Sequence, residues 1–526
     1  MTRSAEPLGL SSAVAVSAVS GAELAGGPAA PAPIAAAAHG TAAVVVAPAA
    51  DARRPASLVG QIAWAACDGA RNPYNVLVNI FVFAAYFTTV VIPDPVRGQT
   101  IWSFTEAVGA LLVAIGGPVL GAIADAGGRR KPWLVGCMLI GVPSMASLWF
   151  ATPGMTQHLF WIMACLVGGT LCFEWSAVFT SAMLPNVAPR GRLGILSGLG
   201  FGFGNLFGLV LFVFYLLAWD TNPHPLFGLS VEAHEPERAV GIIAAIWIVV
   251  FSLPMFVLTP DSPATSRRIG RAVRDGLSEL AHTLASLRSY RNTALFLVAR
   301  LLYNEGFMVM MLFTSVVAAG VLHWTPRMLV AMGVVNSIVA VSAAVFAGWL
   351  DRVTGSKVAA ILFVAGCLLA NVAVCSITPD MIFFVKIHAA AAGPAAAAAS
   401  SAAAAGAAAA AGGSHGLLAA LAATFPTLPD RVFLVTQNLI ALFVTGGLVT
   451  SRTLMAKLSP PERLNEFFGL YAVSGNATTF LGPLAIGIVT ALAGSQRAGV
   501  AVGIVFLLAG LVLMIPVREQ KVGAPA

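Results

Sequence analysis

Two stretches of the chain read alike: Gly121-Ala-Ile-Ala-Asp125-Ala-Gly-Gly128-Arg129-Arg130-Lys131 and, 226 residues later, Ala347-Gly-Trp-Leu-Asp351-Arg352-Val-Thr-Gly355-Ser-Lys357. Each closes an apolar run long enough, at 1.5 Å per residue, to cross about 30 Å of hydrocarbon. Each ends with an aspartate, a glycine and a basic residue in the same order. A second pair repeats at a larger offset, 271 residues: Pro189, Arg192, Leu193, Gly198, Leu199, Gly204 and Asn205 recur as Pro460, Arg463, Leu464, Gly469, Leu470, Gly475 and Asn476. The chain is therefore two copies of one unit, with an insertion late in the second.

Composition says what surrounds those copies. Of 526 residues, 58% are hydrophobic and 10% charged, and the mean hydropathy is +0.87. Soluble domains carry roughly a quarter charged residues, so the chain is read as an integral membrane protein and neither a soluble enzyme nor a nucleic-acid binder. Twelve windows of helical crossing length emerge at 58–92, 101–124, 133–152, 158–184, 193–219, 239–258, 293–321, 328–350, 357–377, 432–457, 465–491 and 498–517. With both termini placed inside, most of the 29 Lys and Arg fall on the inner side, as topogenic charge requires.

The expected organisation is a disordered tail at 1–56, a six-helix half at 57–258, a cytoplasmic linker at 259–292, a second six-helix half at 293–517 and a tail at 518–526. The tail at 1–56 is Ala-, Pro- and Ser-rich and reads as neither a packed domain nor a signal peptide. The linker's Arg267, Arg268, Arg271, Arg274, Arg288 and Arg291 suit an anionic lipid surface. The insertion is the Ala-rich outer loop at about 380–430, broken by Gly393, Pro394, Gly412 and Gly413. Six cysteines lie in apolar runs without metal or disulfide spacing, and no cofactor or metal is expected.

The Asp125 and Asp351 loops resemble the signature loop of the major facilitator superfamily. More narrowly, Asp68-Gly-Ala-Arg-Asn-Pro-Tyr74, Leu302-Tyr-Asn-Glu-Gly306, Gly446-Gly447 with Ser451-Arg452, and Glu466-Phe-Phe-Gly-Leu-Tyr471 with Ser474-Gly475 look like the vacuolar-effluxer branch. That branch includes autophagy-related vacuolar amino-acid effluxers and bacterial relatives. The chain departs from the pattern at Ala126, Asn476 and Arg71. The resemblance implies an all-α membrane fold of two six-helix pseudo-repeats, and gating roles for Asp125, Arg129, Arg130, Asp351, Arg352 and Lys357: an aspartate capping a neighbouring helix and basic residues forming ion pairs that hold the outward-open state.

Polar residues at membrane depth are costly and mark function or structural pairing. Asp68 in helix 1 and Glu305 in helix 7 occupy matching depths and can bind a proton or a solute amine, or else be held in ion pairs with Arg71 or Arg300. Asp68, Asn72, Asn75 and Asn79 fall on one helical face, and Pro73 should kink helix 1 near Gly69. Tyr303 and Asn304 flank Glu305. Arg452 can grip a carboxylate or serve an inner-gate ion pair, Glu174 is a second proton-site candidate, and Glu106 is placed near the outer interface. Gly198, Gly200, Gly202, Gly204 and Gly208 read as close helix packing, since no phosphate-loop lysine follows.

These residues lead to a secondary transporter working by alternating access. It carries a small solute, by family resemblance an amino acid, in export that a proton can drive. Its expected partners are that solute and membrane lipids, its expected state a monomer, and its expected site a bacterial inner membrane. The alternatives are a cation-coupled sugar or glycoside symporter, which shares the fold, and a nontransporting receptor or scaffold.

Overall fold

The computed structural model describes residues 56–189, 192–220, 226–261, 274, 278, 290–387, 423–460 and 463–519. Residues 1–55 of the expected N-terminal tail, most of the linker and residues 388–422 of the Ala-rich insertion lie outside these residues. Eleven described helices are long and apolar enough to cross a membrane. A helix is the economical way across because it satisfies its own backbone in a medium without water. The crossings are α1 (Leu58–Val91), α2 (Pro95–Gly127), α3 (Lys131–Ser147), α4 (Leu159–Val187), α5 (Leu193–Tyr215) and α6 (Glu235–Leu258), then α7 (Arg291–Val321), α8 (Pro326–Thr354), α9 (Ser356–Ser376) and α10 (Leu428–Leu458). A two-stranded hairpin, β1 (Met381–Ile382) and β2 (Val385–Lys386), follows α9.

The eleventh predicted crossing is not one helix. It consists of α11 (Leu464–Asn476) and α12 (Leu481–Ala493), separated by residues 477–480, and α13 (Gln496–Met514) completes the set. The continuous helix expected over 465–491 is corrected to two half-helices. In α1 the regular helix stops at Ala70 and resumes after Pro73 as wider π-type turns over Tyr74–Phe81 and Phe87–Val91. Proline cannot donate the interior hydrogen bond, which accounts for the interruption.

Local sequence sets several helix starts. The Ser57 hydroxyl accepts from Gly60 N–H at the head of α1. Thr427 and Asp430 form a reciprocal capping box on α10, and Asp430 also accepts from the Trp324 indole.

In the first half α1 packs on α5 and α6, and α4 on α2 and α3. In the second α7 packs on α13, and α10 on α8 and α9. The halves meet through α2 with α12, α5 with α8, and the wide turns of α1 with α7. These junctions lie at the end of the bundle away from the linker. Gln99 donates to the Thr490 hydroxyl at 2.8 Å and to the Gln496 carbonyl at 3.0 Å, Gln496 donates back to the Pro95 carbonyl, and Ser315 donates to the Ile80 carbonyl. Phe212 meets Phe81 edge to face and fills the space over Gly333. Among the described residues no comparable packing joins α4 to α10 or α5 to α11. The bundle is closed at the distal end and parted at the linker end.

Close approach of backbones depends on glycine. A Cβ on Gly69 would come within 2.6 Å of the Gly204 nitrogen, whereas one on Gly117 would meet nothing within 4 Å. Gly69→Ala should therefore destabilise the purified protein by about 1–3 kcal/mol through overpacking, and Gly117→Ala should leave its melting temperature unchanged or higher. Equal melting curves for the two variants would show that α1 and α5 do not pack this tightly.

Candidate functional site

The gap between α11 and α12 leaves carbonyls at the end of one half-helix and amides at the start of the next without helical partners. One stretch of α7 supplies partners to both. Arg300 donates to the Tyr471 carbonyl at 2.6 Å and to the Ser474 hydroxyl at 2.7 Å, and Asn304 donates to the Gly475 carbonyl at 3.1 Å. Next to Asn304, Glu305 accepts from the Thr478 hydroxyl at 2.8 Å and the Gly482 N–H at 2.9 Å. The cation thus sits at the C-terminal end of α11 and the anion at the N-terminal end of α12, each where the helix dipole favours it. Arg300 is 3% exposed and Glu305 fully buried. The Arg300 guanidinium also lies 3.5 Å from the Tyr471 ring centroid.

The first half repeats part of this arrangement. Asn72 donates to the Gly204 carbonyl at 2.8 Å, and Gly204 and Gly475 are the glycines matched at the offset of 271. The same amide-to-glycine bond ties α1 to α5 and α7 to α11. Four residues before each asparagine stands a charge, Asp68 in one half and Arg300 in the other. Asp68 accepts from Arg71 and from the Thr180 hydroxyl of α4, both at 3.1 Å, so the ion pair left open by the sequence is formed. Arg71, Thr180, Cys67, Ser176 and Ser252 line a small cavity beside it.

The remaining polar residues fall around these two centres. Asn75 and Asn79 are buried, and the Asn79 carbonyl oxygen has no hydrogen-bond partner. Tyr303 is buried against Phe307, with its hydroxyl unpartnered. Arg452, half-buried on α10, lies beside Tyr471 and in the field of Arg300, and the Tyr471 hydroxyl is 2.5 Å from the Ser451 hydroxyl. Glu174 on α4 is half-buried and Glu106 on α2 is buried, each within the other's electrostatic reach. Glu106 stands eleven residues into α2, about 16 Å along its axis.

Asp125 and Glu466 have side chains outside the described set, Asp351 carries a buried oxygen with no partner, and Arg129 and Arg352 are exposed. Among the described residues, the acids that cap the linker-end starts of α3 and α9 are Asp261 and Glu519. Asp261 accepts from the backbone N–H groups of Arg130 at 3.0 Å and Lys131 at 3.4 Å, at the start of α3. Glu519 accepts from those of Ser356 at 3.3 Å and Lys357 at 3.0 Å, at the start of α9. In return Lys131 donates to the Phe256 and Thr259 carbonyls at the end of α6, and Lys357 to the Ile515 carbonyl at the end of α13. Lys131 and Lys357 are matched at the offset of 226. Sequence reasoning missed both acids, although each stands a few residues after the last crossing of its half.

Two pseudo-symmetric helical halves, closed at one end and carrying charged residues at membrane depth, define a transporter of the major facilitator type and not an enzyme. The family model described as "Vacuole effluxer Atg22 like" matches residues 91–193, 190–379 and 408–524, and the chain belongs to that family. It is 22% identical over 464 residues to the uncharacterized MFS-type transporter YxiO of Bacillus subtilis (strain 168), covering 87% of this chain and 94% of that one. It is 37% identical over 87 residues to autophagy-related protein 22 of Cryptococcus neoformans var. neoformans serotype D, a match spanning 15% of this chain and 14% of that protein. The fold is similar to a solved D-xylose-proton symporter, with a TM-score of 0.58 and 14% identity over 88% of this chain and 99% of the other. The protein is an integral membrane transporter of small-molecule solutes.

The linker-end caps give a pH signature. Burial pushes the Glu519 carboxyl up, but the hydrogen bond from Lys457 at 2.8 Å and those from the Lys357 and Ser356 amides outweigh it and hold the group below its ordinary value. A carboxylate lowered on folding contributes stability above its unfolded pKa and loses it as pH falls through the folded one. Glu519→Gln should therefore melt a degree or two below wild type at pH 7, as suits a solvent-screened pair worth about 0.2–1 kcal/mol. The difference should shrink below about pH 4.3. An equal difference at pH 7 and pH 3.5 would exclude this electrostatic role.

Proposed function

We propose that the chain exports amino acids by rocking its two halves about a central site, with a proton carried at Glu305. The observation that carries this reading is the state of Glu305. It is a fully buried carboxylate in the middle third of α7, held by the Thr478 hydroxyl and the Gly482 amide, with no Lys or Arg within ion-pair distance among the described residues. Protonation removes a hydrogen-bond acceptor from the first turn of α12, so proton occupancy and the junction between the half-helices are linked. Asp68, Asn72, Asn75, Tyr303 and Asn304 line the proposed solute path, Arg452 contributes positive charge to it, and Glu174 is a second proton carrier.

The loops containing Asp125, Arg129, Arg130, Asp351, Arg352 and Lys357 act in the switch. Charge of both signs suits a zwitterion better than a sugar, and the family's description as a vacuole effluxer supports export. With the linker end placed in the cytoplasm of a bacterial inner membrane, the parted end faces inward and one monomer contains the whole path.

Counterflow in proteoliposomes loaded with mixed amino acids tests this reading, because it needs no driving force. Wild type should take up labelled leucine. Glu305→Gln should retain counterflow but lose uphill transport driven by a pH gradient. Loss of counterflow in a folded Glu305→Gln variant would assign Glu305 to solute binding, and no uptake by folded wild type would remove leucine as cargo.

A further inference from the structure

We propose that Arg300 and Arg452 together form an anion site that takes the carboxylate of the transported solute. The proposal rests on the amino-acid reading above for its cargo, and on the following geometry for its chemistry. Arg300 is buried on α7, with Nη1 committed to the Tyr471 carbonyl and the Ser474 hydroxyl and Nε buried without an acceptor. Its guanidinium carbon lies 3.5 Å from the Tyr471 ring centroid, in space that exists because residue 475 is glycine: a Cβ there would come within 2.9 Å of both terminal nitrogens. Arg452 approaches the same tyrosine from α10 and feels the charge of Arg300.

Among the described residues neither guanidinium has a carboxylate within 4.0 Å. Glu305, five residues along α7 from Arg300, is engaged by Thr478 and Gly482. Arginine does not shed its proton, so among the described residues one buried and one half-buried cation near the same ring are compensated by dipoles and a π face. Such a pair in a low-dielectric interior is stabilised by an anion, and planar guanidinium forks match a carboxylate in two-point contact.

The position allows entry. Arg452 lies six residues before the end of α10 and Arg300 nine residues after the start of α7, about 9 and 14 Å from the linker end, where the halves are parted. The matched position in the first half carries Asp68. The two halves thus offer opposite charges at equivalent places, as recognition of a zwitterion requires.

Binding to the purified full-length protein separates this site from the cargo. The probes are leucine, leucinamide, 4-methylpentanoate and inorganic phosphate; the variants are Arg452→Gln, Arg452→Lys and Arg300→Lys. Wild type should bind leucine and 4-methylpentanoate and should bind leucinamide at least tenfold more weakly. Arg452→Gln should lose at least tenfold in affinity for both carboxylates with an unchanged melting temperature, and Arg452→Lys should recover part of it. If Arg452→Gln does not fold, the leucine–leucinamide comparison on wild type and the loss in Arg300→Lys decide. Equal binding of leucine and leucinamide overturns the anion site and leaves amino-acid export standing. Binding of 4-methylpentanoate that Arg452→Gln abolishes, with no leucine bound or transported, keeps the site and overturns the amino-acid cargo. Unchanged carboxylate affinity in a folded Arg452→Gln variant, or tighter binding of phosphate than of carboxylate, overturns the proposal.

Discussion

A helix interrupted inside a membrane exposes backbone groups that neither lipid nor water can satisfy, and the α11–α12 junction poses that problem deep in the second half. Unpaired amides and carbonyls in hydrocarbon each cost several kcal/mol, roughly the scale of a protein's whole stability. Arg300, Asn304 and Glu305 meet the need from one stretch of α7. The polar residues of α7 are therefore structural ties as well as candidate binding groups. Any movement that alters how α7 meets the solute path also changes how the two half-helices are joined. Coupling of a local event to a helix pivot follows from this shared use of side chains.

The pseudo-symmetry separates what each half needs to stand from what the pair needs to work. The Asn72–Gly204 and Asn304–Gly475 bonds, and the reciprocal caps by Asp261 with Lys131 and Glu519 with Lys357, occur in both copies. They are the recurrent means of binding helices within a half. The departures from symmetry sit between them: Asp68 with its Arg71 partner in one half, Arg300 with Arg452 in the other, and a continuous α5 against a divided α11–α12. A repeat that carried one sign of charge twice would repel itself across the centre. Opposite signs stand at the matched places, with Asp68 paired to Arg71.

The distal closure relies on short polar contacts and flat packing. Gln99, Thr490 and Gln496 pair side chains with backbone across α2, α12 and α13. Phe212 over Gly333 fills the junction of α5 and α8. Contacts of this kind join the two halves at one end, whereas the backbone-to-backbone fit at Gly69 and Gly204 lies within the first half.

Much of the fold was legible in the chain. Apolar runs, the Asp125 and Asp351 loops and the Pro73 interruption are encoded within a few residues of where they act, so hydropathy and spacing located the crossings, the repeat and the break in α1. The divided eleventh crossing was harder to read, because Thr478 and Thr479 are compatible with a helix and the division is stabilised by Glu305 and Asn304 from more than 170 positions away. Asp68 and Glu305 stood out as charges at depth, but the sequence left their partners open. Arg300 offered itself to Glu305 as readily as to Tyr471. Asp261 and Glu519 carried no local mark at all beyond following a crossing. Local patterning determined which segments span and which residues are polar within them. The rotation and depth at which packed helices meet decided which of those residues face each other, since a quarter-turn of one helix exchanges every partner while leaving its hydropathy unchanged.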